Sequence, residues 1–109
     1  HSVLVDQLDR VLVVDRENNR VQVFDRDGAY LDSWGGFYHP MDITQDEDGF
    51  VYVSDQIPRL HQLNSDGHRV GQCRPVWNTP HGVACGPNHV IYLAEMNPSS
   101  ITRLGPVDD

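Results

Sequence analysis

Residues of two chemical types occupy one position of an internal repeat: His1, Met41 and His81, spaced forty residues apart. A position that every copy needs for its backbone would keep one residue type. This position instead changes from imidazole to thioether and back. Imidazole is a common metal ligand and proton carrier near neutral pH. We therefore expect any chemistry of this chain to lie at this variable series.

Two acid–arginine pairs recur at a second position of the repeat: Asp15 with Arg20, and Asp55 with Arg59. A carboxylate beside a guanidinium invites a catalytic interpretation. The alternative is structural, since an acidic residue that ends one strand can bond backbone amides or the arginine that begins the next strand. Because the pair occurs in both units, we favour the structural role and name no catalytic residue.

The run Asp46-Glu47-Asp48-Gly49 raises the question of calcium, whose binding loops alternate oxygen ligands around a glycine. This run lacks the length of such a loop and its distal glutamate. It also lies where the repeat needs a turn. The sequence therefore predicts a solvated turn and does not support a calcium site.

The remaining histidines and the two cysteines are predicted to have no special role. The histidines fall on loops or outer strands and are expected at the surface; they are His39, His61, His68 and His89. Cys73 is predicted on an outer strand and Cys85 on an inner one. A disulfide needs Cα atoms within about 7 Å, so both thiols are expected to be free.

Short apolar runs with period-two alternation recur throughout and predict strands. The predicted strands are 2–6, 10–14, 20–24, 29–34, 42–45, 50–53, 59–63, 68–73, 82–85, 90–93 and 101–104. A repeat of about forty residues with four strands is typical of a β-propeller blade. We predict an all-β partial propeller, one segment over 1–109. Its blades span about 1–40, 41–80 and 81–109, and the last lacks its outer strand.

Composition excludes some partners. The formal net charge is −8, with only eight scattered Lys and Arg residues, which argues against binding to a nucleic-acid backbone. No apolar run approaches the roughly 18 residues of a membrane span, so no membrane partner is expected. Two cysteines are too few for a disulfide framework, so cysteine content does not indicate in which cellular compartment the protein works.

The string from Asp15 to Phe24, with its Arg-apolar-Gln-apolar-Phe ending, resembles the NHL-repeat propellers. The looser pattern of strand, Asp, polar loop, Gly turn and Trp-Gly covers the whole chain. More narrowly, Asp-Arg-Glu-Asn-x-Arg-apolar-Gln-x-Phe looks like the peptidyl-α-hydroxyglycine α-amidating lyases and their bacterial relatives. That resemblance implies a six-bladed propeller whose channel holds zinc on histidines, and which cleaves a C–N bond to release a peptide amide and glyoxylate.

The resemblance marks His81, which follows Pro80, and His1 at the equivalent position as candidate zinc ligands. In a six-bladed ring every second blade is related by threefold symmetry, so three imidazoles could converge and leave a fourth position open. Met41 and Asp42 of the intervening blade are expected to line the channel. The acid that accompanies the last family histidine is replaced here by Gly82. The alternatives are that His81 is a turn residue and His1 a terminal one.

Three blades leave two faces uncovered, which favours a partner. One hypothesis is a homodimer that closes a six-bladed ring; the other is that the chain is a piece of a longer propeller. Two functions stay open. The first is a scaffold that binds a peptide or protein, as a remnant of a lyase-like propeller, and the second is a zinc-dependent amidating lyase-like enzyme.

Overall fold

The computed structural model of the chain describes residues 1–74, 80–96 and 99–106. This part is built of β-strands with a single-turn 3-10 helix at Arg16–Asn18. The strands are β1 (Ser2–Val5), β2 (Val11–Asp15), β3 (Arg20–Phe24), β4 (Tyr30–Trp34), β5 (Asp42–Gln45), β6 (Val51–Asp55), β7 (Arg59–Leu63), β8 (Arg69–Cys73), β9 (Pro80–Cys85), β10 (Ile91–Met96) and β11 (Ser99–Leu104). The predicted all-β class is confirmed.

The strands form three antiparallel sheets in chain order: β1–β2–β3–β4, β5–β6–β7–β8 and β9–β10–β11. We call them blade 1, blade 2 and blade 3. The described part of blade 3 has three strands, as predicted. In the third unit β9 and β11 begin two residues earlier than predicted, and β10 begins one residue later and ends three later. Asp6 begins a turn instead of ending β1. No helix in the described ranges is long and apolar enough to cross a bilayer.

One edge of the blades carries the same turn four times, and we call it the turn edge. The side chains of Asp6, Asp25, Asp46 and Asn64 each accept the backbone amides two and four residues on, at 2.8–3.1 Å. The fourth residue of each turn has a positive φ, which suits glycine at three of the four positions. These turns fix how each strand reverses into the next.

The turn Asp46–Gly49 forms as predicted, with Glu47 and Asp48 exposed, but Asp46 itself is not solvated. Asp46 is buried, and its second carboxylate oxygen accepts the Tyr52 hydroxyl at 2.8 Å. Burial, followed by this hydrogen bond, raises the pKa of Tyr52. The carboxylate thus serves the turn and the blade interior, which explains an acid there without a cation.

The opposite edge carries the loops between β2 and β3 and between β6 and β7, together with the connection 35–41. We call it the loop edge. Because neighbouring strands are antiparallel, β1, β5 and β9 all begin at this edge. Residues at the starts of these strands, including the variable series, are therefore placed at the loop edge.

The blades stack through their apolar faces. One cluster joins blade 1 to blade 2 and contains Leu12, Val14, Val21, Val23, Trp34, Phe37, Ile43, Val51, Val53 and Leu63. A second joins blade 2 to blade 3 and contains Tyr52, Leu60, Val83 and Leu93. Burial of this apolar area is the main term that holds one blade on the next.

Trp34 of blade 1 packs directly on Gly67 of blade 2. A Cβ added at Gly67 would lie 2.2 Å from Trp34 Nε1, and Gly67 has a φ of +83°. Arg10 reinforces this contact, since its guanidinium donates to the Ser65 carbonyl at 2.6 Å. Glycine is required here both for its backbone and for its missing side chain.

The two outer faces of the stack are uncovered and apolar. Val3 and Val5 of blade 1 are 62% and 64% exposed, and Ile101 of blade 3 is 78% exposed. The blade 2 equivalents of Val3 and Ile101 are Ile43 and Leu60, which lie inside the two clusters. The stack therefore has the geometry of a ring segment with both ends open.

Candidate functional site

The variable series converges at the loop edge. The imidazole rings of His1 and His81 lie with centroids 5.2 Å apart and ring planes at 71°. The rings belong to blades 1 and 3, on either side of blade 2. Pro80, which precedes His81, is fully buried and anchors the start of β9, as Pro40 does for β5. The side chains of His1 and His81, eighty residues apart in the sequence, thus lie next to each other at the loop edge.

Met41 lies between them in the chain, and its side chain is buried in this segment. Arg16 Nε is 3.3 Å from its sulfur, and Arg16 Nη2 donates to Gln56 Oε1 at 2.8 Å. Arg16 also pairs with Glu17. The guanidinium therefore ties the β2–β3 loop of blade 1 to the strand start of blade 2.

Asp42 links the first strands of all three blades. One carboxylate oxygen accepts the Ser2 hydroxyl of blade 1 at 2.6 Å, and the other accepts the Val83 amide of blade 3 at 2.9 Å. Its own neighbour Ile43 donates a third bond at 2.8 Å. Asp42 is half-buried. With both oxygens occupied, its evident role is to hold the strand starts in place.

The spacing of the His1 and His81 rings can be compared with that of two zinc ligands. Zn–N distances of about 2.0–2.1 Å put two imidazoles on a tetrahedral zinc with centroids about 5 Å apart. The separation of His1 and His81 fits that spacing. Among the described residues, however, no three His, Cys, Asp or Glu side chains are grouped so as to hold a metal. Further ligands would have to come from elsewhere.

The two acid–arginine pairs form as predicted but differ in environment. Arg20 Nε donates to Asp15 at 2.8 Å, with both side chains partly exposed. Hydrogen bonds from Arg20 and then Asn18 hold the pKa of Asp15 below its usual value. Asp55 is fully buried and accepts Arg59 at 2.7 Å. Both acids close a strand-to-strand loop at the loop edge.

Asp55 also receives a histidine that was expected at the surface. His61 is fully buried, so that expectation was wrong. Its Nε2 lies 2.8 Å from Asp55, while Arg69 Nε donates to its Nδ1 at 2.9 Å. An arginine can only donate, so Nδ1 accepts and Nε2 carries the proton towards Asp55. Strand alternation could have indicated this, since His61 shares a blade face with Leu63.

Burial alone would raise the pKa of Asp55, but hydrogen bonds from His61 and Arg59 outweigh it and hold the pKa below its usual value. The same network secures the connection between blades 1 and 2. Arg69 Nη2 donates to the Gly35 carbonyl at 3.1 Å, and Arg59 Nη2 to the Gly36 carbonyl at 3.4 Å. This arrangement fastens the connection 35–41 at the loop edge.

That connection presents an aromatic stack which the sequence did not indicate. Tyr38 and His39 lie with ring centroids 4.2 Å apart and planes at 14°, and Tyr38 is 47% exposed. The backbone beneath is fixed, because the His39 amide donates to Asn19 Oδ1 at 2.8 Å and the Gln56 amide to the Tyr38 carbonyl at 3.0 Å. An exposed aromatic surface is thus held on a fixed backbone at the loop edge, the same edge as the histidine pair.

Together the blades, their order and their open ends define the class: a segment of a β-propeller. Residues 1–24 match the family model of the NHL repeat. Human NHL repeat-containing protein 3 is 49% identical over 61 residues, which cover 52% of this chain and 18% of that protein. Protein lin-41 of Caenorhabditis elegans is 57% identical over 30 residues, which cover 28% of this chain and 3% of that protein. The match thus spans less than a fifth of either relative.

Solved structures agree on the fold. A streptogramin B lyase structure superposes with a TM-score of 0.80 at 16% identity, over 94% of this chain and 36% of that one. A catalytically inactive virginiamycin B lyase from Staphylococcus aureus, solved with quinupristin, gives a TM-score of 0.82 at 17% identity, with the same shares covered. These likenesses confirm the partial propeller and reach no further than the fold.

Proposed function

We propose that this chain is a propeller segment that binds a peptide or protein partner at its loop edge. The observation that carries this proposal is that two ring pairs, the Tyr38–His39 stack and the His1–His81 pair, both lie at this edge. Exposed aromatic groups on a fixed backbone bind at little entropic cost, and their rings and nitrogens suit the mixed apolar and polar surface of a peptide.

Selection of peptides from a displayed random library against the chain tests this function. Peptides that bind the loop edge lose affinity by about tenfold or more when Tyr38→Ala or His81→Ala removes an anchor. Tyr30→Ala, which removes an exposed tyrosine of β4, is the matched control and leaves affinity unchanged. Failure to enrich any peptide, or peptides indifferent to both loop-edge variants, would contradict the proposal.

A second candidate is a zinc-dependent, lyase-like enzyme of the peptidyl-α-hydroxyglycine amidating type. The spacing of His1 and His81 supports it, since these rings could supply two of the ligands. Zinc would act there as a Lewis acid or a source of hydroxide. Its remaining ligands and a general base would have to come from blades that complete the ring.

Metal content tests this candidate directly. Purified chain dialysed against zinc is expected to hold the ion, His81→Ala to release it, and His68→Ala, an exposed histidine at the turn edge, to retain it. Zinc well below one equivalent per pair of chains, unchanged by His81→Ala, would remove the enzyme hypothesis.

We further propose that two copies of the chain close a ring by pairing the uncovered faces of blades 1 and 3. Val3 and Ile101 are exposed on these faces at positions that blade 2 buries as Ile43 and Leu60. Light scattering in dilute solution should give twice the mass of one chain. A monodisperse monomer would contradict this proposal.

A further inference from the structure

A buried histidine lies beneath the connection 35–41, where blade 1 passes into blade 2. His61 has no exposed surface, and its Nε2 lies 2.8 Å from Asp55. Its other ring nitrogen, Nδ1, accepts a hydrogen bond from Arg69 Nε at 2.9 Å. Because a guanidinium can only donate, this bond exists only while Nδ1 holds no proton. The contact between Arg69 and His61 thus depends on the neutral form of the ring.

Arg69 also holds the first half of the connection in place. Its Nη2 donates to the Gly35 carbonyl at 3.1 Å. Its guanidinium carbon lies 5.1 Å from the centre of the Phe37 ring, which in turn meets the His61 ring edge to face at 4.9 Å. A Cβ added at Gly36 would lie 2.8 Å from Arg69 Nη1, so the guanidinium packs closely on the backbone. Arg69 therefore fastens three successive residues and depends on His61 for its own position.

The second half of the connection is held by different hydrogen bonds. The Gln56 amide donates to the Tyr38 carbonyl at 3.0 Å, and the His39 amide donates to Asn19 Oδ1 at 2.8 Å. Neither bond involves Arg69. A change at Arg69 can therefore free the first half of the connection and leave the aromatic stack in place, so it is independent of the peptide binding proposed for that stack.

Three charged side chains of the described residues meet at His61. Asp55 of β6 carries one negative charge, and Arg59 of β7 and Arg69 of β8 carry two positive charges. The connection contributes the apolar ring of Phe37, and the blade 1 residues of the shared cluster are apolar. Burial, followed by the charge of Arg59, lowers the pKa of Arg69. A positive charge on His61 would therefore repel a guanidinium that already lies close to another one.

A proton on Nδ1 would keep Asp55 bound to the ring and displace Arg69. The imidazolium retains its Nε2 hydrogen bond to the carboxylate, which becomes charge-assisted. The N–H groups of Nδ1 and of Arg69 Nε would then face each other as two donors, which cannot bond. Arg69 is an exposed residue, so its guanidinium can move into water, whereas the buried His61 ring could leave only by opening a cavity.

We propose that His61 is a pH-sensitive switch at the junction of blades 1 and 2. At neutral pH the uncharged ring holds Arg69, and Arg69 holds residues 35–37. In mild acid a proton from solvent binds Nδ1, the Arg69–His61 bond breaks, and the Gly35 carbonyl is released. Imidazoles commonly change charge between about pH 5 and 8. Asp55 stays charged in this range, since its hydrogen bonds outweigh burial and hold its pKa below the usual value.

An NMR titration of the full chain from about pH 7 to about pH 4.5 tests this switch. The nitrogen-15 shifts of the His61 ring report the proton on Nδ1, and the Arg69 Nε–H and Gly36 amide signals report the contact. As Nδ1 takes up its proton, the Arg69 Nε–H signal should move to the position of an arginine in water, and the Gly36 amide should shift in step. The Gln56 and His39 amides should shift little, because their hydrogen bonds do not involve Arg69.

Arg69→Met removes the guanidinium from an exposed position and leaves the buried pair of His61 and Asp55 intact. Its Gly36 amide should already have the released shift at about pH 7 and should no longer respond to acid. His68→Gln, which removes a neighbouring exposed histidine, is the control and keeps the transition.

Three outcomes would overturn the proposal. The first is protonation of Nδ1 that leaves the Arg69 and Gly36 signals unchanged. The second is an Nδ1 that holds no proton even at the acid end of the titration. The third is a simultaneous shift of amides throughout all three blades, which would show that the whole fold opens and that residues 35–37 are not released separately.

Discussion

The two acid–arginine pairs show how burial changes the contribution that the same sequence feature makes to stability. Asp15 and Arg20 meet in partial contact with water, where an ion pair contributes little. Asp55 has no exposed surface and holds Arg59 and His61 by one oxygen. A buried carboxylate that loses its charge leaves its partners unpaired, which is costly.

Asp55→Asn is therefore expected to lower the free energy of unfolding by at least about 3 kcal/mol, because Arg59 would lose its counter-charge in a buried site. Asp15→Asn is the matched control and should cost at most about 1 kcal/mol. Urea denaturation of both variants and the parent chain measures the difference. Equal costs for the two substitutions would contradict this account.

The pH dependence of stability follows from the same residue. The pKa of Asp55 is lower in the folded chain than its unfolded value of about 3.9. Its ionised form therefore stabilises the fold above that value, and the contribution is lost as pH falls through the lower folded pKa. The stability gap between parent and Asp55→Asn should shrink between pH 5 and acid, as followed by urea midpoints at about pH 7, 4 and 3. A gap that stays constant would refute the assignment.

At the scale of the strand and turn, the contact of Trp34 with Gly67 gives a sharp comparison. Gly67→Ala strains a backbone with φ of +83° and drives a Cβ into the Trp34 ring. Gly28→Ala meets the same backbone strain, at φ of +90°, but open space. We expect about 1 kcal/mol for Gly28→Ala and about 1–3 kcal/mol more for Gly67→Ala. Thermal or urea unfolding of the two variants measures the contribution of the Trp34–Gly67 contact. Equal losses of unfolding free energy would show that the contact does not contribute to stability.

How far the sequence predicts the molecule is also clearest at the scale of elements. The forty-residue period located the strands, including the three that the described part of blade 3 contains, because alternation and turn residues act locally. It placed His61 wrongly at the surface, because a polar residue on a strand does not show that Arg69 and Asp55 will form hydrogen bonds with its ring nitrogens. The burial of the Asp46 carboxylate was missed for the same reason, since its hydrogen-bond partner Tyr52 lies beyond the turn, on a strand.

At the candidate site, the repeat brought His1 and His81 to equivalent strand starts, and their convergence follows from blade stacking. The role of Asp42 did not follow, because its partners Ser2 and Val83 belong to blades on both sides. The stacking of Tyr38 on His39 depends on a connection without a regular pattern, held by Asn19 and Gln56. Contacts between blades could not be predicted from the local sequence pattern.

For the whole molecule, closure by a second copy predicts stability that depends on concentration. If the faces of blades 1 and 3 pair, the unfolding temperature should rise as the chain is concentrated, because association stabilises the folded state by mass action. Val5→Asp on the face of blade 1 should abolish that rise. Val70→Asp on β8 should keep it, since that position lies outside the face. A midpoint independent of concentration in the parent chain would argue against closure.

The carboxylate of Asp42 has a consequence for how the stack comes apart. Stacked repeats ordinarily behave as a row in which each unit is coupled only to its neighbours, so an end unit can fray alone. Here Ser2 and Val83 meet on one side chain of the middle blade, and His1 touches His81. The end blades are thereby coupled to each other as well as to blade 2. Loss of either one weakens the hold on the other, so the segment should open as a single cooperative unit.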